Sequence, residues 1–184
     1  MPTFWIAVAA AAAALLDGET VIAEGVPASV ELSVPDAVPP DEAAAASRAY
    51  GGFERHIFPH CFVCGPKRDE GDGLRIFPGW VDGRKVVAAP WTPDRSLAGE
   101  DGALRREFVW ASLDCPGAWA RTVRAMVLGR LAARLLAPVR PGERCVVVGW
   151  RLGEDGRKLY AGTALYGEDG DLRAFARATW VRIS

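Results

Sequence analysis

Three places in this sequence hold residue types that could do chemistry. The first is His56-x3-His60-Cys61-x2-Cys64, which brings two imidazoles and two thiols into nine residues. That is the donor set of a closed tetrahedral zinc site. The spacing is compressed, however, because adjacent His60 and Cys61 rarely both reach one ion. No second Cys-x2-Cys follows, and Cys115 and Cys145 stand alone. The segment is therefore read as a loop with two small apolar thiols and a turn at Gly65, and no metal is assigned. A thioredoxin-like redox pair fits less well still, since no strand-to-helix junction surrounds the cysteines.

The second place is Asp114, a carboxylate in a mostly apolar stretch with helical spacing. Such an acid must find donors, or burial raises its pKa until it becomes a usable base. The structural alternative is a cap for a helical segment that restarts at Pro116. The third is a set of arginines, Arg105, Arg106, Arg121 and Arg124, which flank the same stretch. They suit phosphate groups at a groove mouth, or a solvated helix end. The chain has only two histidines, so a catalytic triad or dyad built on Ser112 or Cys115 would have to borrow His56 or His60.

The elements that must position these residues follow from patterning. Residues 103–121 are the long helical candidate, with Leu104, Phe108, Ala111 and Ala118 recurring at helical spacing and a kink expected at Pro116-Gly117. Residues 145–152, 158–166 and 172–183 read as three strands, separated by two copies of Gly-Glu-Asp-Gly and so joined by two tight turns of one type. Residues 74–77 and 85–89 read as two more strands around a Val81-Asp82-Gly83 turn, after a loop over 53–73. Residues 20–24 and 29–34 read as free strands, and Asp41 as the cap of a helix over 42–50. Residues 126–137 satisfy a helix and a strand equally well by periodicity.

Composition sets the limits. Half of the 184 residues are apolar, 24% are charged and seven are tryptophan, which excludes a disordered chain, a collagen and a coiled coil. A net charge of −1 argues against a nucleic-acid partner bound through phosphate neutralisation. No apolar stretch reaches the roughly eighteen residues of a membrane span, so no membrane partner is expected. Residues 1–50 hold one basic residue, Arg48, against seven acidic ones, whereas the rest hold 21 basic and 16 acidic. The sign changes near Gly51-Gly52, which divides an N-terminal extension, 1–50, from one domain, 51–184. Residues 6–16 form an apolar run of eleven, but residues 1–5 carry no Lys or Arg, so the run is read as a structural element rather than a secretory leader. Four cysteines in a chain of this size fit a reducing cytoplasm.

Three motifs, in order, carry a resemblance. Cys61-Phe62-Val63-Cys64-Gly65 followed by Gly73-Leu74-Arg75-Ile76, then Ala111-Ser112-Leu113-Asp114, then Pro138-Val139-Arg140-Pro141-Gly142-Glu143 resemble hotdog-fold acyl-CoA thioesterases of the phenylacetate-pathway type. The resemblance covers about residues 53–184. It implies an α+β hotdog fold, with an antiparallel sheet wrapped around one long central helix, and it makes residues 126–137 a strand ending at Pro138. It also implies hydrolysis of an acyl-CoA-type thioester with Asp114 as general base or nucleophile and no cofactor. Arg105, Arg106, Glu107, Trp110 and Arg121 would line the substrate groove. A homodimer or larger assembly is expected, because a single hotdog sheet leaves an edge strand open. One departure stands out. The family opens its central helix with His-Gly-Gly, whose glycine amide can polarise the thioester carbonyl, and here Leu104-Arg105-Arg106-Glu107 occupies that place. That departure supports an alternative, a hotdog protein that binds an acyl or CoA-like ligand without hydrolysing it.

Overall fold

The computed structural model describes residues 4–9, 12–121 and 125–183. Three strands open the chain, β1 (Phe4–Ala9), β2 (Ala12–Asp17) and β3 (Thr20–Gly25), as an antiparallel meander of its own. The main sheet has six strands, β4 (Gly79–Trp80), β5 (Val86–Trp91), β6 (Met126–Leu135), β7 (Cys145–Asp155), β8 (Lys158–Tyr166) and β9 (Leu172–Arg182). Their order across the sheet is β4-β5-β7-β8-β9-β6, and every neighbouring pair is antiparallel. No helix among the described residues is long and apolar enough to cross a membrane.

Both faces of the sheet are covered, which explains why β7 reads as a continuous apolar run rather than an alternating one. Val147 and Cys145 point to one face and Val146, Val148 and Trp150 to the other, and all five are buried. The first face carries α2 (Arg106–Ser112) and α3 (Cys115–Trp119), with Val109, Leu113 and Cys115 packed on Val147, Leu165 and Ala176. The second carries α1 (Pro40–Arg48), with Ala43, Ala46 and Val38 packed on Ala88, Val148 and Phe175. Two glycines let the helices come this close. A Cβ on Gly149 would lie 2.3 Å from the Pro116 carbonyl oxygen, and one on Gly79 would lie 1.8 Å from that of Ala46.

The structure corrects five expectations. The long helix over 103–121 is two short ones, broken at Leu113-Asp114 rather than kinked at Pro116-Gly117. Pro116 has no amide to continue the ladder, and the buried Thr163 hydroxyl donates to the Leu113 carbonyl at 2.7 Å in place of a helical N–H. Residues 29–34 are extended but belong to no ladder. They lie over the second face between prolines, with Val30 buried and Tyr166 donating its hydroxyl to the Pro35 carbonyl. Residues 74–77 also pair with no sheet strand; the Leu74 and Ile76 amides donate to the Phe62 and Val63 carbonyls, both at 2.8 Å. Helix α1 starts at Pro40, with Pro39 at the cap position and Asp41 in the first turn, making no side-chain cap bond. Finally, the two Gly-Glu-Asp-Gly segments build different turns. Asp155 pairs directly with Lys158 across a two-residue loop, whereas residues 167–171 form a longer one, closed by Gly167 N–H to the Asp171 carbonyl. Arg173 draws the second loop out by holding Asp169 at 2.6 Å and Glu143 at 3.0 Å.

Candidate functional site

The break between α2 and α3 places Asp114 at the N-terminal cap position of α3, where its side chain makes no cap bond. Its Oδ1 is fully buried and has no hydrogen-bond partner, and its Oδ2 lies 4.0 Å from Cys115 Sγ. Burial, aided by negative charge at Cys61, pushes the Asp114 carboxyl up to about 7. The neighbouring Ser112 is committed elsewhere, its hydroxyl donating to the Val109 carbonyl at 2.8 Å.

Beside Asp114 lies a feature that spacing alone did not reveal. Cys61, Cys64 and Cys115 hold their sulfur atoms within 4.8 Å of one another, with Cys61 and Cys115 at 3.5 Å. Cys115 was expected to stand alone; it is the third member of this cluster, delivered by α3 across 54 residues of sequence from Cys61. Thiol donation from Cys115 and Cys64 lowers the Cys61 pKa to about 2, whereas contact with Cys61 and burial raise that of Cys115. At Cys64 donation from Cys115 lowers the pKa, but Cys61 and burial outweigh it and push the thiol up to about 12. His56 stands over the cluster, its Nε2 3.2 Å from Cys64 Sγ and its ring 5.3 Å from that of Trp119. Burial lowers the His56 pKa. Tyr50 closes the other side, donating its hydroxyl to the Cys64 carbonyl at 3.0 Å. His60, in contrast, is exposed; its carbonyl accepts from Arg68 at 2.8 Å. A cavity of about 70 Å³ opens between His56, the three cysteines, Trp119 and Trp180.

The residues expected to line a substrate groove fall in three places. Arg105, at the cap position of α2, pairs with Glu107 at 3.5 Å and lies over the Phe108 ring; Arg105, Arg106 and Glu107 are all exposed. Trp110, 38% exposed, borders a second, open groove of about 660 Å³ between residues 22–28 and residues 128–133 of β6. Arg121 is bound to Glu154, which also holds Arg151 and Arg182. Arg124 lies outside the described residues. The two amides just before α2 are taken: Leu104 N–H donates to the Val139 carbonyl at 2.8 Å and Arg105 N–H to that of Leu97 at 3.1 Å.

No protein-family model matches this sequence, and no curated protein does. Solved structures do match. A thioesterase superfamily protein superposes with a TM-score of 0.57 at 19% identity, over 67% of this chain and 60% of its own. A phenylacetic acid degradation-related protein from Ralstonia eutropha gives 0.52 at 18% identity, over 59% and 85%. A Streptococcus mutans protein bound to acetyl-CoA gives 0.51 at 11% identity, over 55% and 83%. At these identities the shared property is the fold: this chain has the α+β hotdog fold of thioesterase superfamily structures, as the motifs implied.

Proposed function

We propose that this protein binds an acyl-CoA-type thioester and hydrolyses it, with Asp114 activating water or attacking the thioester carbonyl. The observation that carries this reading is the buried Asp114 Oδ1, an acceptor with no partner at a break in the central helix. A carboxylate that only capped α3 would accept from the amides of the first turn, and this one does not. The fold supports the substrate class, since it is shared with thioesterase superfamily proteins and with a protein that binds acetyl-CoA. The groove bordered by Trp110 has the volume of a small-molecule site. The exposure of Arg105 and Arg106 at the start of α2 supports a role for them in meeting CoA phosphates, although Arg105 also pairs with Glu107, while Arg121 is engaged by Glu154. Four free thiols suit a cytoplasmic setting.

One observation favours the alternative, binding without hydrolysis. The amides of Leu104 and Arg105 are already bonded to Val139 and Leu97, so neither can polarise a thioester carbonyl. A panel of acyl-CoAs assayed for thiol release, with binding of a non-hydrolysable analogue measured in parallel, separates the two. Release supports the hydrolase; saturable binding with no release from any acyl-CoA supports the carrier.

We further propose a homodimer or larger assembly. Strand β6 bonds to β9 on one side, and its other edge has no ladder partner among the described residues. That edge exposes Val127 and Leu128, an arrangement that invites a second copy. Light scattering that returned a monomer mass at micromolar concentration would refute it.

A further inference from the structure

The three cysteines are organised as ligands are, and not as apolar filler. Cys61 and Cys64 sit on a tight turn closed by Gly65 N–H to the Cys61 carbonyl at 2.9 Å. A Cβ on Gly65 would stand 2.5 Å from the Cys61 amide nitrogen, so only glycine closes this turn. Cys115 completes the set from the start of α3, whose depth is fixed by the contact of Pro116 with Gly149.

The distances suit an ion. Thiolates on a tetrahedral zinc at ~2.3 Å stand about 3.8 Å apart, and these sulfurs all lie within 4.8 Å of one another, with Cys61 and Cys115 at 3.5 Å. His56 supports the set without joining it. Its Nδ1 accepts from the Phe58 amide at 3.0 Å, which leaves the ring proton on Nε2, facing Cys64 Sγ. A ring N–H directed at a ligand sulfur stabilises the thiolate charge. The fourth position then falls to the cavity of about 70 Å³ beside the cluster, which has room for a water or two. Trp180, only 5% exposed, borders that cavity, and its Nε1–H has no partner, so a donor is ready for a solvent oxygen or another ligand on the ion.

We propose that Cys61, Cys64 and Cys115 bind one zinc-class divalent cation as three thiolates, with the fourth coordination position open to the cavity beside Trp180. Sulfur-rich, four-coordinate sites select zinc among the common divalent ions. Binding displaces whatever thiol protons the three cysteines still hold and takes up one cation, with no change of oxidation state. The ion would clip the loop over 53–73 to the helix that carries Asp114. This inference stands apart from thioester hydrolysis, and its test reads metal and not turnover.

The test uses the full chain, purified under reductant, stripped with a chelator and titrated with Co2+ and then Zn2+. One equivalent of Co2+ should bind, with sulfur-to-cobalt charge-transfer absorption and tetrahedral d–d bands that Zn2+ abolishes. Cys61→Ser, at the half-buried position, should weaken binding at least a hundredfold while far-UV circular dichroism stays native. His56→Gln should weaken it about 10–100-fold, the usual cost of losing an orienting partner. Cys145→Ala, elsewhere in the core, should leave the stoichiometry at one. Folded wild-type protein with no charge-transfer band would overturn the proposal, as would an undiminished band in Cys61→Ser. Iron with labile sulfide in the freshly purified chain would overturn the assignment to zinc.

Discussion

The two faces of the main sheet each begin a helix with an aspartate near its start, and the two acids have opposite fates. On the face covered by α1, Asp41 is exposed in the first turn, where water solvates it and the helix dipole favours its charge. On the face covered by α2 and α3, Asp114 has a buried oxygen with no partner. The surroundings differ in the same sense. Around α1 the packing is alanine, valine and aromatic rings, and Tyr166 hands its hydroxyl to a carbonyl. Around α3 lie three thiols, an imidazole and the bare Trp180 Nε1. One face is packed with its polar groups paired, whereas the other leaves Asp114 Oδ1 and Trp180 Nε1 buried without a protein partner.

The largest effect should come from the acid itself. Asp114→Asn keeps the shape and removes a carboxylate that makes no cap bond, so the melting temperature should not fall. Thiol release from a verified acyl-CoA should drop about a hundredfold or more, the range for a lost general base, with binding of a non-hydrolysable analogue kept. Wild-type turnover in this variant would make Asp114 as inert as Asp41 and erase the contrast between the faces. Next come the two glycines that admit the helices. Gly149→Ala would drive a methyl into the Pro116 carbonyl and Gly79→Ala one into that of Ala46; each should cost about 3 kcal/mol, the upper end for overpacking, because backbone must move. The comparison lies in the activity per folded molecule. It should collapse in Gly149→Ala, which displaces α3 and Asp114, and survive in Gly79→Ala, which displaces only α1. Equal losses would show that the faces are not functionally separate.

A smaller change probes the helix break. Thr163→Val keeps the volume but leaves the buried Leu113 carbonyl without its donor, at about 1–3 kcal/mol in urea denaturation. A neutral result would mean that Pro116 alone makes the break.

The regular half of the molecule was legible in the sequence. Strand-like runs between turn residues marked β7, β8 and β9 to within a few residues. Strand β6 was ambiguous by period, since many of its residues are exposed or half-buried, and only the resemblance to hotdog thioesterases made it a strand. The site was legible only in part. Asp114 showed itself as a charge in an apolar helix, whereas its unpaired oxygen depends on where the helix breaks, and there the Leu113 carbonyl is taken by Thr163, fifty residues away. Cys115 gave no local signal at all. What makes it a partner of Cys61 is the depth of α3, and that depth is written in Gly149 on a different strand. His60, the attractive neighbour in sequence, is exposed.

The smallest expected effect tests the quiet acid. Asp41 looked like a helix cap, and caps are worth roughly 0.5–2 kcal/mol whatever the salt concentration, since the side chain bonds directly to backbone amides. In the structure Pro39 holds the cap position and Asp41 makes no such bond, which leaves only its charge near the positive end of α1. Asp41→Ala should therefore cost about 0.3–1 kcal/mol at low ionic strength. The loss should fade at about 1 M salt, where the screening length is only ~3 Å. Urea denaturation at both salt concentrations measures it. A loss of about 1 kcal/mol or more that persists in high salt would restore Asp41 as a cap. The helix starts on the two faces would then differ by a direct hydrogen bond, present at Asp41 and missing at Asp114, and not by solvation alone.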